Sequence, residues 1–450
     1  MNSETTVTNF IMLIGPWELA RQRLNSEEPN LQLNAKYNFS LSPFKANEQH
    51  LFANFKDFHI DYLDDLSADI KTSISEHFGS SDCSAYKKYI KENNIEATDI
   101  QLSIPPCAGL SLLNNGNRGA DNKANGWMYE TVKWFISQGN KVLCLENAPG
   151  LLGKEGLSVL KNVEKILKDN GVEKEYKFHL TKTSTTQHGI PQHRTRAFLY
   201  LYKSNEHIIL KNIKHKTPTV EAWLERYPNE NDESIDHVPL KDNWASVFID
   251  FINEKGDWQR FRDLTKSDND TKVISCWPTW LEEYKKDPNY FGDRTKNLKR
   301  AADKMLKKLE VGLGYWDSSP NFIRGRINAI VAKNSYNTVH PKYDRYLTIR
   351  ELMSLMGYPD SYRLVNVQKN FNAICQSLPV CTGMDHIRWA YGIAKRDPKY
   401  VGETVKTPHT LLMQHNMKSD LENSLFSCEF EMPWNSFKKE RKSSLKSFVK

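Results

Sequence analysis

Four residues in the first half of the chain have the types and contexts of a reactive centre. Cys107 follows two prolines in IPPCAGLS, Glu146 follows an apolar run in LCLENAPG, and Arg194 and Arg196 stand in PQHRTRAFLYL. A thiolate is a strong nucleophile, and neighbouring positive charge favours its formation. A carboxylate can exchange a proton with a ring nitrogen, and guanidinium groups can hold an oxygen atom and orient that carboxylate. Together these residues predict attack on a polarised heterocycle.

Each residue also has a plainer explanation when it is taken alone. Cys107 has the size and polarity of a core residue, Glu146 stands where a turn cap is common, and the two arginines alternate as on an exposed strand. The order of the elements favours the chemical explanation. Cys107 and Glu146 both follow apolar strands, and ligand sites form at the carboxyl ends of strands in open α/β sheets.

Short apolar runs alternate with amphipathic stretches from about residue 7 to 203, which is typical of an α/β domain. KVLCLE (141–146) and RAFLYLY (196–202) predict buried strands, and GLSVLKNVEKILKDNG (156–171) predicts a helix. Regular periodicity then weakens and leaves one clear basic amphipathic helix in RTKNLKRAADKMLKKLEVGLG (294–314). We expect a catalytic α/β domain over 1–203, a variable module over 204–342, a return to the catalytic domain over 343–415 and a basic tail over 416–450.

Composition excludes several classes of protein. A chain of 450 residues, 39% hydrophobic and 26% charged, is typical of two or three soluble domains. No apolar run reaches the roughly 18 residues that a membrane span needs, and the first residues lack the basic region of a signal peptide. Seven cysteines without Cys-x-x-Cys pairs argue against a disulfide framework and against a zinc site, so no metal is expected. The net charge of +7 permits a polyanionic partner.

Four stretches, in family order, resemble motifs of the DNA cytosine-C5 methyltransferases. The family's Pro-Pro-Cys-x-Gly-x-Ser loop is matched by Pro105, Pro106, Cys107, Gly109 and Ser111. Its Glu-Asn-x-x-Gly and Gln-x-Arg-x-Arg elements are matched by Glu146, Asn147, Gly150, Gln192, Arg194 and Arg196. The later VHPKYDRYLTIRELMSLMGYPDSY is similar to the family's His-Pro and Arg-Glu stretch through His340, Pro341, Arg350, Glu351, Gly357, Pro359 and Asp360. The resemblance covers the chain except the variable module and the tail.

This resemblance implies a Rossmann-like, S-adenosylmethionine-dependent methyltransferase fold with a mixed, mostly parallel sheet and an inserted target-recognition domain at 204–342. It implies double-stranded DNA as substrate and a cytosine flipped out of the duplex. Cys107 would add to C6, Glu146 would engage N3 and the exocyclic amine, and C5 would take the methyl group. Arg194 and Arg196 would hold the O2 edge and a nearby phosphate. The expected substrate-binding neighbours are Pro106, Ser111, Asn147 and Gln192.

The cofactor side departs from the family's pattern at two turns. The usual Phe-x-Gly-x-Gly-Gly turn aligns with IMLIGP, which keeps Gly15 but has Ile11, Leu13 and Pro16 where Phe, Gly and Gly are usual. Glycine permits close backbone approach and positive φ, so these changes affect the pocket. The usual Gly-Asn-Ala-Val-Pro turn appears as CQSLP (375–379) and keeps only its proline. The expected cofactor contacts are Ile11, Ile14, Gly15, Trp17, Glu48 toward the ribose, Asp61 toward the adenine, Pro105, Gln376 and Ser377.

Changes at both ends of one pocket leave three functions open. The first is a methyltransferase that uses S-adenosylmethionine through a divergent pocket. The second is an enzyme that adds another group to C5 from a modified S-adenosylmethionine or a different donor, with Gln376 contacting that group. The third is a non-catalytic DNA-binding homologue, which the intact base-side residues disfavour. RNA is a further candidate substrate, but the large variable module favours DNA, because base-specific contacts need a reading surface.

The variable module is expected to recognise the target sequence, although its basic residues are more typical of phosphate contacts or solvated charges than of base readers. They are Arg260, Arg262, Lys296, Arg300, Arg324 and Arg326. The aromatic residues expected in its core are Trp277, Trp280, Tyr315 and Trp316. The tail, with Lys438, Lys439, Arg441, Lys442, Lys446 and Lys450, is expected to be a solvated end or, alternatively, a phosphate-contacting arm. We expect a monomer in the cytoplasm of a bacterial or phage-infected cell; restriction-modification and phage contexts both stay open.

Overall fold

The structure is a computed structural model of the chain. It describes residues 4–56, 58–111, 119, 121–213, 215–227, 243–266, 272–292, 296–312, 320–331 and 337–405. The predicted basic tail over 416–450 and the predicted core residues Tyr315 and Trp316 lie outside the described residues. Within the described part of the chain, no helix combines the length and the apolar character needed to cross a membrane.

Strands and helices alternate through most of the described chain. The strands are β1 Thr5–Phe10, β2 Leu33–Ser40, β3 Asp61–Tyr62, β4 Ile100–Ser103, β5 Val142–Asn147, β6 Tyr176–Ser184, β7 Gln192–His193, β8 Thr195–Lys203, β9 His207–Leu210, β10 Lys272–Ser275, β11 Asn321–Arg324, β12 Ile327–Asn328 and β13 Val401–Val405. The α-helices up to the middle of the chain are α1 Pro16–Glu27, α2 Glu48–Asn54, α3 Leu63–Leu66, α4 Ala68–His77, α5 Ser84–Glu92, α6 Lys123–Gln138 and α7 Lys154–Asp169. The later α-helices are α8 Val220–Leu224, α9 Asn243–Lys255, α10 Trp258–Thr265, α11 Trp277–Lys286, α12 Lys296–Glu310, α13 Ile349–Ser354, α14 Val367–Gln376 and α15 Val380–Lys395. Short 3-10 helices span Pro29–Leu31, Ser42–Asn47, Pro149–Leu152 and Thr185–His188.

The chain divides into two compact units. Unit 1 comprises Met1–His188, Thr195–His215 and Ser377–Lys450, and unit 2 comprises Gly189–Arg194 and Lys216–Gln376. The bounds of unit 2 differ from those of the predicted module at 204–342, so the assignment of these segments to a catalytic and a target-recognition domain stays a prediction.

Unit 1 is built on a seven-stranded sheet with the order β3-β2-β1-β4-β5-β8-β6. The pairs from β3 through β5 are parallel, and β8 runs antiparallel to both β5 and β6. The predicted mixed, mostly parallel sheet is therefore confirmed. All six residues of β5 are buried, as expected for a strand covered on both faces. The predicted strands at 141–146 and 196–202 and the predicted helix at 156–171 correspond to β5, β8 and α7.

Unit 2 has an aromatic core of its own. Trp277 and Trp280, at the start of α11, are 1% and 0% exposed and pack edge to face with ring centroids 5.7 Å apart. Phe248, Phe251 and Phe291 surround them in the same cluster. The prediction that these tryptophans form the core of the smaller unit, rather than surfaces for base stacking, is confirmed. The predicted basic helix is also present, as α12.

A buried carboxylate on α15 pairs with histidines from two other segments of unit 1. The Asp385 carboxylate accepts hydrogen bonds from His188 at 2.7 Å and His215 at 2.8 Å, and it pairs with Arg388 at 2.6 Å. Burial opposes ionisation of Asp385, but these partners outweigh it and hold the pKa of that carboxyl well below its usual range. His188 and His215 are the last residues of unit 1 before the chain enters unit 2. One carboxylate on α15 therefore holds both of the residues at which the chain leaves unit 1.

Glu28, at the end of α1, is expected to give the protein an acid-dependent part of its stability. Burial raises the pKa of Glu28, but hydrogen bonds from Lys399, Tyr400 and Arg388 lower it to about 2, below the ordinary 4.5. A carboxyl whose pKa is lower in the folded state stabilises the fold above its unfolded pKa and loses that contribution as pH falls. Glu28→Gln should lower the free energy of unfolding by about 2 kcal/mol at neutral pH, and this difference should shrink between about pH 5 and about pH 2.

Urea denaturation of wild type and Glu28→Gln across this pH range measures the effect. Glu164→Gln is the control, because Glu164 forms only a surface pair with Lys168 on the same helix. A constant difference between wild type and Glu28→Gln at every pH would show that the ionised Glu28 carboxylate contributes nothing specific.

Candidate active site

The loop after β4 presents Cys107 and is packed closely against α6. Pro105 is buried, Cys107 is half-buried, and the Leu110 N–H donates to the Cys107 carbonyl at 3.0 Å. A Cβ at Gly109 would lie 2.5 Å from the amide of Asn125, which is fully buried on α6. The loop thus needs glycine at residue 109 so that it can lie directly against the Asn125 side chain.

Glu146 lies near the carboxyl end of β5, beside the strand that leads to Cys107. Ser103 of β4 pairs with Leu145 of β5, so Cys107, which follows β4, and Glu146, near the end of β5, lie at the same edge of the sheet. Glu146 is 1% exposed, and its Oε1 lies 2.7 Å from Nε of Arg196 on β8. A buried carboxylate held by a guanidinium has a fixed direction. Arg196 is thus placed to orient this carboxylate, while its predicted contact with the O2 edge of the base or a phosphate stays a prediction.

Asn147, which follows Glu146, is also buried. Its side-chain oxygen accepts the Ala148 N–H at 2.8 Å, and its NH2 group has no hydrogen-bond partner among the described residues. A buried donor of this kind costs free energy unless a ligand satisfies it. This makes Asn147 a candidate donor to a bound base.

Gly150, in the turn after β5, packs directly against the loop that carries Cys107. A Cβ at residue 150 would lie 2.1 Å from the carbonyl oxygen of Leu110, a contact that backbone atoms can relieve only by moving. Gly150→Ala should therefore displace the loop that carries Cys107, and a misplacement of about 1 Å can cost about 100-fold in rate. We expect kcat to fall by about that factor while the protein stays folded.

Steady-state kinetics with thermal melting tests Gly150→Ala. Gly402→Ala is the matched control, because a Cβ there would meet nothing closer than 3.5 Å. Equal kcat values for wild type and Gly150→Ala would show that the two loops do not depend on this contact.

Gln192 and Arg194 belong to unit 2, where both are buried and hold backbone segments. Arg194 is 1% exposed and donates to the carbonyls of Ile330 at 3.0 Å and Cys375 at 2.6 Å. Gln192 donates to the Leu355 carbonyl at 2.7 Å and accepts the Ile330 N–H at 3.1 Å. In this arrangement Arg194 and Gln192 position the backbone around them, and the predicted contact of Arg194 with the base or a phosphate stays a prediction.

Several predicted cofactor residues lie together at the end of β1. The Ile104 N–H, next to Pro105, donates to the Ile11 carbonyl at 3.2 Å. Gly15 has φ 82 and caps the start of α1, and a Cβ on it would lie 2.5 Å from the ring of Phe55. Phe55 directly follows α2, the helix that begins with Glu48. Unit 1 therefore places Gly15 beside the end of the helix that begins with Glu48, and it places Ile11 beside the residue that precedes Pro105.

The turn after β1 keeps left-handed backbone without the usual glycine. Ile11 has φ 56 and Leu13 has φ 51, although left-handed backbone costs a non-glycine residue about 1 to 2 kcal/mol. Strain of this kind is typical of ligand-binding turns. Left-handed Gly15 at the start of α1 and the acidic Glu48 fit a nucleoside cofactor, since such cofactors bind at strand-to-helix turns with an acid near the ribose. Phe55 and Leu51 form the apolar wall beside Gly15.

Asp61 and Trp17, which are also predicted to contact the cofactor, contact other residues in the structure. Asp61 pairs with His59 at 2.9 Å and lines a cavity of about 630 Å³ with Tyr37, Phe39 and Tyr89. The lining described for this cavity includes none of the other predicted cofactor residues. The indole of Trp17 is 1% exposed and packs against Phe198, and its N–H has no partner among the described residues.

The turn at residues 375–379 is divided between the units. Gln376 is exposed at the end of α14 in unit 2, whereas Ser377 is fully buried in unit 1. The contacts predicted for these two residues and for Asp61 and Trp17 stay predictions.

Asn125 is a residue that sequence reasoning missed. Its Nδ2 donates to the Gly119 carbonyl at 2.6 Å, and the Gly119 N–H donates to the Gly109 carbonyl at 3.0 Å. Asn125 thus supports the cysteine loop from α6. An asparagine near the start of a helix ordinarily indicates a cap, so nothing in the local sequence separates this role from capping.

Comparison with known proteins identifies related chains. A model of the family described as C-5 cytosine-specific DNA methylase matches residues 62–384. The chain is 31% identical to the type II methyltransferase M.MspI of Moraxella sp over 114 residues, which are 25% of this chain and 26% of that protein. It is 23% identical to the type II methyltransferase M.XorII of Xanthomonas oryzae pv. oryzae over 309 residues, 62% of this chain and 65% of that protein. The match thus spans about a quarter of the first relative and less than two-thirds of the second.

A crystal structure described as a DNA modification methyltransferase, encoded within a prophage of E. coli, shares the fold. Its TM-score with this chain is 0.50 at 15% identity, and the match covers 87% of this chain and 99% of the other. At this level of identity the similarity shows the fold alone. It agrees with the predicted fold class.

Proposed function

Because the chain belongs to the C-5 cytosine-specific DNA methylase family, we propose that it transfers a methyl group to C5 of a cytosine in double-stranded DNA. The observation that carries this proposal is the arrangement at the ends of β4 and β5. A half-buried thiol stands on a rigid loop, and a buried carboxylate on the next strand is held by Arg196 at 2.7 Å. A nucleophile and a proton-transferring group so placed suit addition to a heterocyclic ring.

In the proposed mechanism the cytosine leaves the duplex, since C6 is not accessible within stacked bases. The Cys107 thiolate forms a bond to C6, and Glu146 hydrogen-bonds to N3 and the exocyclic amine, which stabilises the charge that develops on the ring. C5 then becomes electron-rich and would take the methyl group, with the sulfur of the donor leaving as a neutral thioether. Loss of the C5 proton and release of Cys107 restore the aromatic base.

S-adenosylmethionine is the proposed donor and supplies an electrophilic methyl group on a sulfonium. The turn over Ile11–Gly15 and the acid Glu48 would hold it, with Pro105 beside the turn. Asn147 would donate to the base, and Arg196 would keep Glu146 aimed at N3. Arg194 and Gln192 would act through the backbone that they fix in unit 2.

DNA is the proposed partner, and unit 2 would recognise its sequence. The reaction needs one active site for each flipped base, so a single copy suffices. The proposed location is the cytoplasm of a bacterial or phage-infected cell, which is supported by the bacterial origin of both type II relatives.

Mass analysis of nucleosides tests the proposal. Purified full-length protein is incubated with S-adenosylmethionine and DNA of mixed sequence, and the digested nucleosides are analysed. We expect a gain of one methyl group on deoxycytidine. If no methyl group is added, but 5-fluorocytosine DNA is trapped covalently once cell extract is present, the donor is a different molecule. Binding of DNA without trapping under either condition would show a non-catalytic homologue.

A further inference from the structure

A tight turn in unit 2 carries two arginines. The turn is Arg324-Gly325-Arg326, between β11 and β12, and the Arg326 N–H donates to the Arg324 carbonyl at 2.8 Å. Gly325 has φ 71, a conformation that side chains strongly disfavour. Glycine at this residue therefore lets three residues reverse the chain and place the two arginines on either side of the tip.

The start of α8 holds the turn by both backbone groups of Gly325. The Gly325 N–H donates to the two carboxylate oxygens of Glu221 at 3.0 and 3.2 Å, and the Val220 N–H donates to the Gly325 carbonyl at 2.7 Å. The indole N–H of Trp223, also on α8, donates to Ser354 of α13 at 3.2 Å. The turn is thus fixed to a helix that is itself fixed to the rest of unit 2.

The turn lies beside the strand that carries Gln192. Ile327 pairs with Gln192, and its N–H donates to the Pro191 carbonyl at 2.9 Å. Burial lowers the pKa of the neighbouring His193, and the Arg326 guanidinium lowers it further. Arg326 is therefore adjacent to the Gln-x-Arg-x-Arg motif, which the family resemblance assigns to the base side of the reaction.

Two other arginines in the described part of the variable module already form ion pairs with carboxylates. Arg260 pairs with Glu283 at 3.3 Å, and Arg262 pairs with Asp344 at 2.5 Å. Arg326 is half-buried, and its guanidinium has no ion pair or hydrogen bond among the described residues. A partly buried charge without a partner is costly until a ligand supplies one. A guanidinium presents two parallel N–H groups, and N7 and O6 of guanine accept such a pair in the major groove.

We propose that Arg326 determines target specificity by donating both N–H groups of its fork to a guanine of the recognition sequence. This rests on the proposed function, in which the substrate is double-stranded DNA. The exposed Arg324, on the other side of the tip, holds a neighbouring phosphate. Glu221 acts as a positioning residue, since it fixes the tip before DNA binds and so lowers the entropic cost of binding.

Selection from a random-sequence duplex library tests the proposal through binding, without any need for turnover. Full-length wild type, Arg326→Ala and Arg326→Lys are compared, and Arg300→Ala is the matched control, since Arg300 is an exposed arginine on α12. Wild type should enrich a motif with an invariant guanine. Arg326→Ala should lose preference at that base pair alone, by about 10- to 100-fold. Arg326→Lys should keep overall affinity but lose the preference, because an ammonium cannot donate as a fork.

Two results would overturn the proposal. One is an unchanged motif in Arg326→Ala, and the other is a uniform loss of affinity for all sequences together with a weaker salt dependence, which indicates a phosphate contact. Thermal melting shows whether Arg326→Ala has unfolded. If it has, the comparison of wild type with Arg326→Lys tests the proposal. Nucleoside mass analysis of wild type tests the proposed function separately. If wild type adds no methyl group but its selected DNA motif still depends on Arg326, the proposed function is rejected and the role of Arg326 in sequence recognition stands.

Discussion

Cys107→Ala is expected to abolish modification of cytosine, with a loss of at least about 1,000-fold in kcat. The physical reason is that C5 of cytosine is a poor nucleophile until a group adds to C6, and Cys107 is the thiol that the rigid loop after β4 presents. A methyl side chain has no electron pair to add. Binding of DNA should persist, because phosphate and base contacts do not need the thiol.

The measurement is nucleoside mass analysis together with covalent trapping on 5-fluorocytosine DNA. The fluorine at C5 cannot leave as the proton does, so wild type should remain bonded to the DNA and Cys107→Ala should not. Cys381→Ala is the control, because Cys381 is also half-buried but lies on α15, where Arg23 donates to its Sγ. Methylation by Cys107→Ala at a rate near that of wild type would refute covalent catalysis by this residue.

Most of the sheet could be predicted because its strands are buried on both faces. β5 and β8 form continuous apolar runs, and α7 between them has apolar residues at helical spacing, so local pattern is sufficient there. The cysteine loop could be predicted because its two prolines, its cysteine and its glycine stand within one short stretch of sequence. Tertiary contacts between distant residues were not accessible in the same way. The contacts of Gly150 with Leu110 and of Gly109 with Asn125 join segments whose pairing no local periodicity records.

The cofactor turn shows a limit of arguing from residue type alone. Glycine is usual at residues 13 and 16, yet Leu13 still adopts the left-handed backbone that glycine favours, as does Ile11, and the changed pocket stays a prediction. The backbone preference of a single residue has little influence on a turn whose two ends are fixed. This turn is fixed by β1 and by the start of α1. Arg194 shows what tertiary structure adds. Its guanidinium donates to the carbonyls of Ile330 and Cys375 in unit 2, while the contact with the base or a phosphate that the resemblance implies stays a prediction.

Arg196→Ala is expected to lower kcat by about 100- to 1,000-fold with little change in KM. Glu146 is 1% exposed and its carboxylate lies 2.7 Å from Nε of Arg196, so loss of the guanidinium leaves a buried carboxylate without its cation. Such a carboxylate is no longer held in direction, and it is no longer in the environment that favours its charge. Removal of one partner of a buried pair also destabilises folded proteins by about 3 to 5 kcal/mol. Arg300→Ala, on the exposed face of α12, should leave kcat and stability unchanged.

A double-mutant cycle separates the effect of Arg196 on the orientation of Glu146 from its effect on the free energy of unfolding. Glu146→Gln alone removes the charge but keeps the shape of the side chain, and it should lose activity because an amide cannot supply the carboxylate's protonation states. In Glu146→Gln/Arg196→Ala no charge is left unpaired, so unfolding by urea should show the double variant more stable than Arg196→Ala alone. Activity should not return with stability, because the carboxylate that we propose to act on N3 is absent. If Arg196→Ala retained full kcat while losing stability, the Arg196–Glu146 pair would be structural, and the orientation of Glu146 would not depend on Arg196.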